Sequence, residues 1–516
     1  MEQLTAFDKL LIGEKGIEIN KLQYQLELFK KGVKPIELIR PATLNDGILS
    51  FSKDEAIKYV SIYQKKKNTV DILKFVPASG AATRMFSFLS KFINEYNLEK
   101  QTFEEYISES NNVETKIFFT HLSQFAFFDE LDSYLTKNNS LKNLSEDEKK
   151  LTIARILLLE EPFAYQNKPK GLFPFHKYGN NIVTAFEEHF QEAVMYASQG
   201  ENVHIHFTIS PEFTNDFLKK LSEIRPILEK RYQTHFEVNF SYQDSSTETI
   251  AVTLDNIPVR NSEGNLIFRP SGHGALLKNL NDTTADIIFI KNIDNVVKQT
   301  YIDESIFYKE VLAGKLEEIR SHCHKILRQI QKNKIKKKDI PQLLAFLLEL
   351  NIHIPNYVYK FTKKYILEYI FEVLNRPIRV CGMVKNEGEA GGGPFWIKDN
   401  EQRKSLQIIE ISQIDTENPN QNEILNKSTH FNPVDIVCCI KNYRGEVFDL
   451  TQFVDFNQSF ITQKTYNGEQ IKALELPGLW NGCMAKWLTI FVEVPISTFN
   501  PVKSINDLLK KVHQGN

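Results

Sequence analysis

The sequence predicts an α/β protein with a mixed, mostly parallel sheet, N-terminal helices and a helical insertion. Two observations support this fold class. Strand and helix patterns alternate along the chain, with strands at residues 203–209 and 236–242 on either side of a helical pattern at residues 213–232. The run IIFI at residues 287–290 is apolar throughout, which is typical of a parallel strand covered on both faces.

The composition is that of an ordinary globular protein, with 516 residues, 42% hydrophobic residues, 25% charged residues and a net charge of −2. This charge gives no reason to expect nucleic acid or a membrane as a partner. The five cysteines form no CxxC pair, which argues against a thiolate zinc site. The N-terminus lacks a signal-peptide pattern, and no run approaches the ~18 apolar residues that span a bilayer. We expect a reduced, cytoplasmic protein.

The length suggests more than one domain, and changes of pattern divide the chain into four segments. Residues 1–68 are predicted to be helical, residues 69–300 to form an α/β core, residues 301–375 to be the helical insertion, and residues 376–516 to complete the core. Within the insertion, the basic run KNKIKKK at residues 332–338 is interpreted either as a solvated loop or as a nucleic-acid contact.

The most informative stretch is TVDILKFVPASGAATRMF at residues 69–86. An apolar strand is followed by small residues and then by a helical pattern that begins near Thr83. A sharp strand-to-helix turn of this kind exposes backbone N–H groups that bind phosphate. Arg84 adds a fork of donors suited to phosphate oxygens. The alternative is a tight turn without a ligand.

Three further motifs fit a phosphate site. KPKGLFPF at residues 168–175 places two lysines around a proline before an expected helix, although a solvated turn is the alternative. RPSGHGALLKNL at residues 269–280 is a second small-residue turn, whose glycines permit close approach of a ligand. In FIKNIDN, Asp294 follows a buried strand, where a carboxylate either binds Mg²⁺ or caps the next turn.

In chain order, PASGAATRM with KPKGL, GHGALL, KNIDN, IIEISQID, THFNPVDIV and TFNPVKSINDLLKK resemble the motifs of the nucleotide-sugar pyrophosphorylases. These are nucleotidyltransferases of the GT-A type, and the likeness is greatest to the UTP–glucose-1-phosphate and UDP-N-acetylhexosamine pyrophosphorylases. The resemblance implies a GT-A or Rossmann-like core. The chain also resembles a bacterial family, defined as a domain of unknown function, whose members share PASGAATRM, GHGALL, KNIDN, GGGPFW and LPGLWNG.

The resemblance implies a reaction in which a sugar-1-phosphate oxygen attacks the α-phosphorus of a nucleoside triphosphate and pyrophosphate leaves. Positioning and charge stabilisation then provide the catalysis. The resemblance also implies that residues 69–300 bind the nucleotide and residues 376–516 bind the sugar. The implied roles are triphosphate binding by Ser79, Gly80 and Ala81, pyrophosphate neutralisation by Arg84 and Lys170, base reading by Gln243, nucleoside contact by Gly272 and His273, Mg²⁺ binding by Asp294, sugar contact by Glu410 and Asn432, and pairing with the sugar phosphate by Lys503.

The chain departs from the family pattern in three places. Ala81 and Ala82 stand where the family has more glycine, and each Cβ narrows the approach to the backbone and disfavours positive φ. KNEGEAGGGPFW suggests a mobile lid around glycines 391–393 ending in an aromatic anchor, or a long hairpin connection. In ELPGLWNG, Trp480 is interpreted as a sugar-stacking ring with Asn481 and Glu475 as polar partners, or as part of a packed corner.

The sequence thus predicts a Mg²⁺-dependent nucleotidyltransferase that acts on a nucleoside triphosphate, UTP by preference, and a sugar-1-phosphate. Two alternatives stay open. The loop alanines allow a nucleotide- or sugar-phosphate-binding protein without transfer activity. The helical insertion and its basic run allow an interaction scaffold.

Overall fold

The computed structural model describes residues 4–110, 112–388, 391–398, 403–431 and 435–515. Its α-helices are α1 (Ala6–Glu14), α2 (Ile19–Lys31), α3 (Lys53–Lys66), α4 (Ser87–Glu95), α5 (Phe103–Ser110), α6 (Val113–Thr120), α7 (Phe128–Lys137), α8 (Glu146–Leu159), α9 (Ala185–Tyr196), α10 (Thr214–Tyr232), α11 (Leu276–Asn281), α12 (Asp303–Gln331), α13 (Ile340–Glu349), α14 (Lys363–Leu374), α15 (Pro419–Asn426) and α16 (Lys511–Gln514).

The strands are β1 (Leu38–Pro41), β2 (Thr43–Leu44), β3 (Gly47–Leu49), β4 (Ile72–Pro77), β5 (Pro174–Tyr178), β6 (Asn181–Thr184), β7 (Ser198–Gln199), β8 (Asn202–Ile209), β9 (His235–Tyr242), β10 (Thr249–Thr253), β11 (Phe268–Arg269), β12 (Ile287–Lys291), β13 (Ile378–Lys385), β14 (Gly392–Lys398), β15 (Lys404–Glu410), β16 (His430–Phe431), β17 (Asp435–Cys439), β18 (Phe460–Tyr466), β19 (Glu469–Glu475) and β20 (Leu488–Glu493). No helix among the described residues combines the length and the apolarity needed to cross a membrane.

The chain forms two compact units, each assembled from three separate stretches. The first unit comprises Met1–Phe75, Ser241–Ile290 and Tyr308–Ile496. The second unit comprises Val76–Phe240, Lys291–Phe307 and Ser497–Asn516. The four segments predicted along the chain stay a prediction.

The largest sheet of the first unit confirms the predicted α/β class. Its strands follow the order β2-β3-β20-β13-β17-β12-β4. The pairs β2/β3, β3/β20, β20/β13 and β12/β4 are parallel, whereas β17 runs antiparallel to β13. Every residue of β12 is buried, as expected for a strand covered on both faces. The sheet is therefore mixed and mostly parallel.

Two smaller sheets complete the first unit. One has the order β1-β14-β15 and the other the order β11-β10-β19-β18. The GGGPFW motif does not form the predicted lid from residue 392 onward, because Gly392 to Lys398 form β14 and pair in antiparallel register with β15. Phe395 and Trp396 are buried in this strand. Glu389 and Ala390 lie outside the described residues.

The helical insertion has the predicted character, since α12, α13 and α14 lie within it. Residues 1–68 contain the expected helices α1, α2 and α3, but the segment between α2 and α3 also supplies the short strands β1, β2 and β3. These strands are two to four residues long, which is too short for an alternating pattern to stand out in a sequence.

The second unit combines β8 and its neighbours β7 and β9 with the hairpin β5–β6 and a set of helices. An aromatic cluster fills its interior, with the ring of Tyr165 lying 4.7 Å from that of Phe173 and 5.7 Å from that of Phe127. The helix expected directly after KPKGLFPF is wrong. A single 3-10 turn, Lys170–Leu172, leads instead into β5. Residues 174–178 and 181–184 form a hairpin, in which the two strands pair across a turn at Gly179.

Candidate functional site

The turn after β4 lies in the second unit and is fixed by backbone hydrogen bonds on both sides. The Ala78 N–H donates to the carbonyl of Thr208 at 2.8 Å. The Ala82 N–H donates to the carbonyl of Lys168 at 3.0 Å, and the Lys170 N–H donates to the carbonyl of Gly80 at 3.1 Å. The KPKGL segment therefore lies directly against the small-residue turn. The sequence analysis predicts that both segments contribute to one phosphate site.

Between these hydrogen bonds, Gly80 and Ala81 are exposed. Their N–H groups donate to no acceptor among the described residues. A Cβ built on Gly80 would meet no atom within 4 Å, so the space above it is open. Consecutive unpartnered amides in a turn are suitable donors for an anion such as phosphate. The helix that follows begins as a 3-10 turn, Ala82–Phe86, so these donors belong to the turn and not to an α-helix N-terminus.

The two alanines of this turn cause no backbone strain. Ala81 has φ −73° and ψ 155°, and neither Ala81 nor Ala82 is among the described residues with positive φ. Ala81 therefore stands in an extended backbone and Ala82 begins the 3-10 turn, and any residue adopts either conformation. Glycine is not required here for conformational reasons.

A lysine–aspartate pair lies beside the turn. The Lys170 ammonium is 2.5 Å from a carboxylate oxygen of Asp294, and their side chains are 15% and 18% exposed. The preceding residue Ile293 is tightly held, because its N–H donates to the carbonyl of Pro77 at 3.3 Å and its carbonyl accepts from His189 Nε2 at 3.1 Å. Asp294 follows β12, the buried strand after which the sequence analysis placed it, and it is fixed close to the end of β4.

The C-terminal stretch of the second unit reaches the same aspartate. The Val502 N–H donates to the Asp294 carbonyl at 3.2 Å, and the Asn500 N–H donates to the side-chain oxygen of buried Asn295 at 2.8 Å. Lys503 directly follows Val502, whose backbone contacts Asp294, and Lys503 is exposed. The structure places five of the residues predicted to bind phosphate or Mg²⁺ in neighbouring segments of this unit, and we call these five, Gly80, Ala81, Lys170, Asp294 and Lys503, the loop cluster.

Arg84 lies in the 3-10 turn that follows the loop and is exposed. It forms no ion pair in the part of the chain that the structure describes. Ser79 is oriented by Ser210, whose hydroxyl donates to the Ser79 carbonyl at 3.0 Å. Both residues are placed near the loop cluster, but no contact joins Arg84 to Lys170 or Asp294.

The loop cluster fits a magnesium ion only if the phosphate of a substrate supplies further ligands. Within the described ranges, no group of three or more His, Cys, Asp or Glu side chains is arranged to hold a metal. Asp294 therefore offers a single carboxylate. Mg²⁺ at nucleotide sites is commonly bound through one or two carboxylates together with substrate phosphates and water. The residues fit an ion that arrives with its phosphate ligand, and they do not form a metal cage of their own.

The GHG turn belongs to the first unit, and its glycines are required by contacts within the chain. Gly272 has φ +79°, and a Cβ on Gly274 would lie 2.1 Å from the backbone oxygen of Pro477. A Cβ on Gly478 would lie 2.3 Å from the ring of His273. The LPGLWNG segment therefore packs closely against the GHG turn. The resemblance implied instead that a nucleoside contacts Gly272 and His273.

His273 is held as a neutral imidazole. The Leu479 N–H donates to its Nδ1 at 2.8 Å, and its ring stacks on the ring of Trp480 with centroids 4.0 Å apart. Burial lowers the pKa of His273 to about 4. His273 thus carries no charge at neutral pH and does not provide a cation for phosphate. The stacking of Trp480 corresponds to the packed corner that was the alternative interpretation of ELPGLWNG.

Next to this stack lie Asn481 and Glu410, which the sequence analysis assigns separately to the sugar and which the structure joins by a hydrogen bond. The Asn481 side-chain N–H donates to a carboxylate oxygen of Glu410 at 3.3 Å. Asn481 is wholly buried, and its side-chain oxygen has no hydrogen-bond partner among the described residues. Burial raises the pKa of Glu410, and the hydrogen bond from Asn481 opposes this effect. We call His273, Glu410, Trp480 and Asn481 the GHG cluster.

Arg379 was missed by the sequence analysis. It lies in β13, is wholly buried, and donates from Nη1 to the carbonyl of Trp480 at 2.5 Å and from Nε to the hydroxyl of Thr489 at 2.8 Å. Its Nη2 has no partner within the described chain. The signal in the sequence was a lone arginine in the apolar run IRVCGMV, since a buried guanidinium normally holds polar groups in place.

Gln243 follows β9 in the first unit and is half-buried. The adjoining Ser241 and Tyr242 are tied to the GHG helix, because the Asn279 side chain donates to the Ser241 hydroxyl and to the Tyr242 carbonyl, both at 2.8 Å. Gln243 is therefore near the helix that the GHG turn opens. Asn432, the other predicted sugar contact, lies outside the described residues.

These features define a mixed α/β protein with an amide-lined turn and a lysine–aspartate pair at the end of a buried strand. The chain belongs to the family described as "Domain of unknown function (DUF4301)", whose model matches residues 5–514. A comparison with curated proteins found no match.

Solved structures of three enzymes are similar to the model. UDP-glucose pyrophosphorylase from Leishmania major is 13% identical with a TM-score of 0.44, and the match covers 98% of this chain and 79% of that one. Uridine diphosphate N-acetylglucosamine pyrophosphorylase from Trypanosoma brucei is 12% identical with a TM-score of 0.44, covering 95% and 74%. UDP-glucose phosphorylase from Trypanosoma brucei is 15% identical with a TM-score of 0.43, covering 97% and 77%.

Proposed function

We propose that this protein is a Mg²⁺-dependent nucleotidyltransferase that transfers a nucleotidyl group, UMP from UTP by preference, to a sugar-1-phosphate. The observation that carries the proposal is the Lys170–Asp294 pair beside the two unpartnered amides of Gly80 and Ala81. Backbone donors, a cation and a carboxylate at the end of a buried strand are the groups that phosphoryl transfer requires. The sequence motifs that resemble those of the nucleotide-sugar pyrophosphorylases support the same reaction.

In this reaction an oxygen of the sugar-1-phosphate forms a bond to the α-phosphorus of the triphosphate. The bond from the α-phosphorus to the oxygen that bridges to the β-phosphorus breaks, and pyrophosphate leaves with that electron pair. No protein side chain is covalently modified, so the protein contributes binding, orientation and charge stabilisation.

The loop cluster is assigned to the phosphates. The amides of Gly80 and Ala81 donate to the triphosphate, and Lys170, which neutralises Asp294 without substrate, moves its ammonium to the developing charge on pyrophosphate. Lys503 pairs with the sugar phosphate. Asp294 is the residue that would hold Mg²⁺, which, when bound, supplies positive charge between phosphate oxygens.

The GHG cluster and its surroundings are assigned to recognition. Glu410 accepts from sugar hydroxyls, because a carboxylate with a raised pKa and one remaining oxygen suits a neutral donor. Asn481 is wholly buried and is assigned to orienting the Glu410 carboxylate through its hydrogen bond. Gln243 is assigned to the uracil edge on its resemblance alone.

The test is an assay of pyrophosphate release with UTP, Mg²⁺ and a panel of sugar-1-phosphates. Lys170→Met should lower kcat/KM by about 10²-fold or more, since losing one transition-state donor costs on the order of 2.7–4 kcal/mol. Lys168→Met is the matched control, because the Lys168 ammonium donates to the carbonyl of Pro162 and lies apart from Asp294. It should retain activity within about threefold, as expected of a substitution away from the reacting groups.

Three results would each contradict the proposal. Equal losses in Lys170→Met and Lys168→Met would point to disturbance of the loop as a whole. Tight UTP binding without pyrophosphate release across the panel would favour the binding protein without transfer activity. If UTP caused no change of thermal stability, the protein would not bind this nucleotide.

A further inference from the structure

A cavity of the first unit lies between the helical insertion and the segments around Phe453 and Lys486. It has a volume of about 820 Å³ and is lined by the C-terminal end of α12, by α14 and the two residues after it, and by Gln452, Phe453 and Lys486. A volume of 300–1,000 Å³ is usual for a small-molecule site. The proposed transfer reaction makes no use of this cavity.

One wall of the cavity is apolar and aromatic. Leu367, Phe371 and Phe453 line it together with Ile330. Phe371 packs edge-on against Tyr443 with ring centroids 5.8 Å apart, and Phe453 packs edge-on against Phe448 at 5.4 Å. Because Tyr443 and Phe448 support the two rings, the wall is present without a ligand. An apolar or planar group can therefore lie on it without first rearranging the core.

The rim of the cavity is positively charged. Four basic residues and two acidic ones line it, and the acidic ones are already engaged, since Glu368 lies 4.0 Å from Lys364 and Glu372 lies 3.9 Å from Arg376. Lys363 and Lys486 form no ion pair in the described part of the chain. Two uncompensated cations at one cavity mouth attract an anion.

The lining of the cavity contains an acceptor without a donor. The side-chain oxygen of Asn375 is buried and has no hydrogen-bond partner among the described residues. Next to it, the Arg376 guanidinium donates to the carbonyl of Glu372 at 3.2 Å. Burial lowers the pKa of Arg376, Glu372 raises it, and the positive charge of Arg403 lowers it further. An anion near Arg376 would relieve that repulsion.

We propose that this cavity binds a small amphipathic anion, a phosphate or carboxylate joined to an apolar or planar group. The anion pairs with Lys363, Lys486 and Arg376. The apolar or planar group lies on Phe371 and Phe453, and a hydroxyl or amino group of the ligand donates to Asn375. Purine mononucleotides and medium-chain carboxylates share this chemistry.

The first experiment uses the full chain and two fluorescent probes of similar shape, anilinonaphthalene sulfonate, which is an anion, and N-phenyl-naphthylamine, which is neutral. In the double variant Lys363→Glu/Lys486→Glu, the affinity for the anionic probe should fall about tenfold or more, which corresponds to about 1.4 kcal/mol. The affinity for the neutral probe should change less than twofold, because the aromatic wall is untouched.

The control is Lys338→Glu/Lys360→Glu, which makes the same change of charge at exposed lysines of the insertion that do not line the cavity. It should bind both probes as the parent does. Equal loss of the anionic probe in the two double variants, or parallel loss of both probes in the first one, would overturn the proposal.

Competition then distinguishes the two sources of the anion. Displacement of the anionic probe by adenosine monophosphate and not by decanoate assigns the cavity to nucleotides, and the reverse result assigns it to carboxylic acids with an apolar chain. Displacement by neither compound overturns the proposal. Loss of pyrophosphate release in Lys170→Met has no bearing on this result, so the two proposals fail independently.

Discussion

At the scale of single residues, the imidazole of His273 has the best defined chemical state in the GHG cluster. Its Nδ1 accepts from the Leu479 N–H, and its ring is stacked on Trp480. Both contacts exist for the neutral ring, and burial holds the pKa at about 4. Protonation in acid would therefore disrupt the contact between the GHG turn and the LPGLWNG segment.

This state predicts a dependence of stability on pH. Between the folded pKa of about 4 and the ordinary value of 6.5, unfolded His273 binds a proton that the folded form does not. Unfolding thus takes up a proton, and the free energy of unfolding falls as the pH falls through this range. At 1.36 kcal/mol for each pKa unit, the full effect is on the order of 3 kcal/mol at pH 4.

The measurement is urea denaturation of parent and His273→Asn at several pH values between 7 and 4. The variant loses the stacking ring and should be less stable throughout, but its stability should fall less steeply with decreasing pH. His353→Asn, at an exposed position, controls for removal of an imidazole as such. An unchanged slope in His273→Asn would contradict the assignment.

Gly80, Ala81, Lys170 and Asp294 of the loop cluster were predictable because each stands in a short motif with a physical meaning. Lys503 was predicted from the family resemblance alone. A carboxylate after a buried strand and a lysine in a proline-fixed turn can be recognised without knowing the fold. Arg379 and the unpartnered oxygen of Asn481 could not be recognised in this way, because their significance comes from burial beside Trp480, which only the folded chain creates.

At the scale of elements, the two small-residue turns look alike in sequence but differ in what surrounds them. Gly80 has open space where its Cβ would be, whereas a Cβ on Gly274 would meet the backbone of Pro477. One turn is open to solvent, and the other is closed by the chain itself.

This difference predicts opposite results for the same substitution. Gly274→Ala should lower the free energy of unfolding by about 1–3 kcal/mol, the usual cost of overpacking, because backbone cannot yield cheaply. Gly80→Ala should change it by less than about 0.5 kcal/mol, as surface substitutions do. If the loop binds triphosphate, Gly80→Ala should nevertheless weaken the thermal shift caused by UTP, since the new Cβ enters the ligand's space.

Thermal and urea unfolding of both variants provide the measurement. A large loss of stability in Gly80→Ala would mean that the loop is not open, and full tolerance of Gly274→Ala would contradict the tight packing of the GHG turn.

The same scale explains why the lid, one of the two interpretations of KNEGEAGGGPFW, is not formed by residues 392–398. Three consecutive glycines suggested a mobile lid, yet Gly392 and Gly393 begin β14. Their lack of side chains is used for packing, since a Cβ on Gly392 would lie 3.1 Å from Ile408 and one on Gly393 would lie 3.1 Å from Phe395. Composition indicates that glycine is needed, but it does not distinguish freedom of the backbone from close contact.

At the scale of the whole molecule, the division into α/β core and insertion was predictable from pattern, whereas the composition of the two units was not. Each unit includes two neighbouring stretches that are separated by more than a hundred residues, and boundaries fall within β4, β9 and β12, where the sequence has no linker. Linker composition marks boundaries only when a chain passes once between domains.

Removal of residues 497–516 should therefore damage the second unit. This stretch buries Val502, Ile505 and Leu508, and His513 lies 2.9 Å from His176. Losing three buried aliphatic side chains costs on the order of 5 kcal/mol, so the truncated protein should unfold at a lower temperature or fail to accumulate. The control is truncation after Gln514, which keeps these contacts. Equal thermal stability of the two truncated proteins would contradict the division into units.

The interleaving of the two units also has a consequence for synthesis. Val76 to Phe240 leave the ribosome early, but the strand end at Asp294 and the final contacts around Val502 and His513 are made last. The second unit cannot reach its native state until residues 497–516 have left the ribosome. Until then, the aromatic residues of the second unit are incompletely covered. The growing chain therefore depends on protection from aggregation for longer than its fold class alone would require.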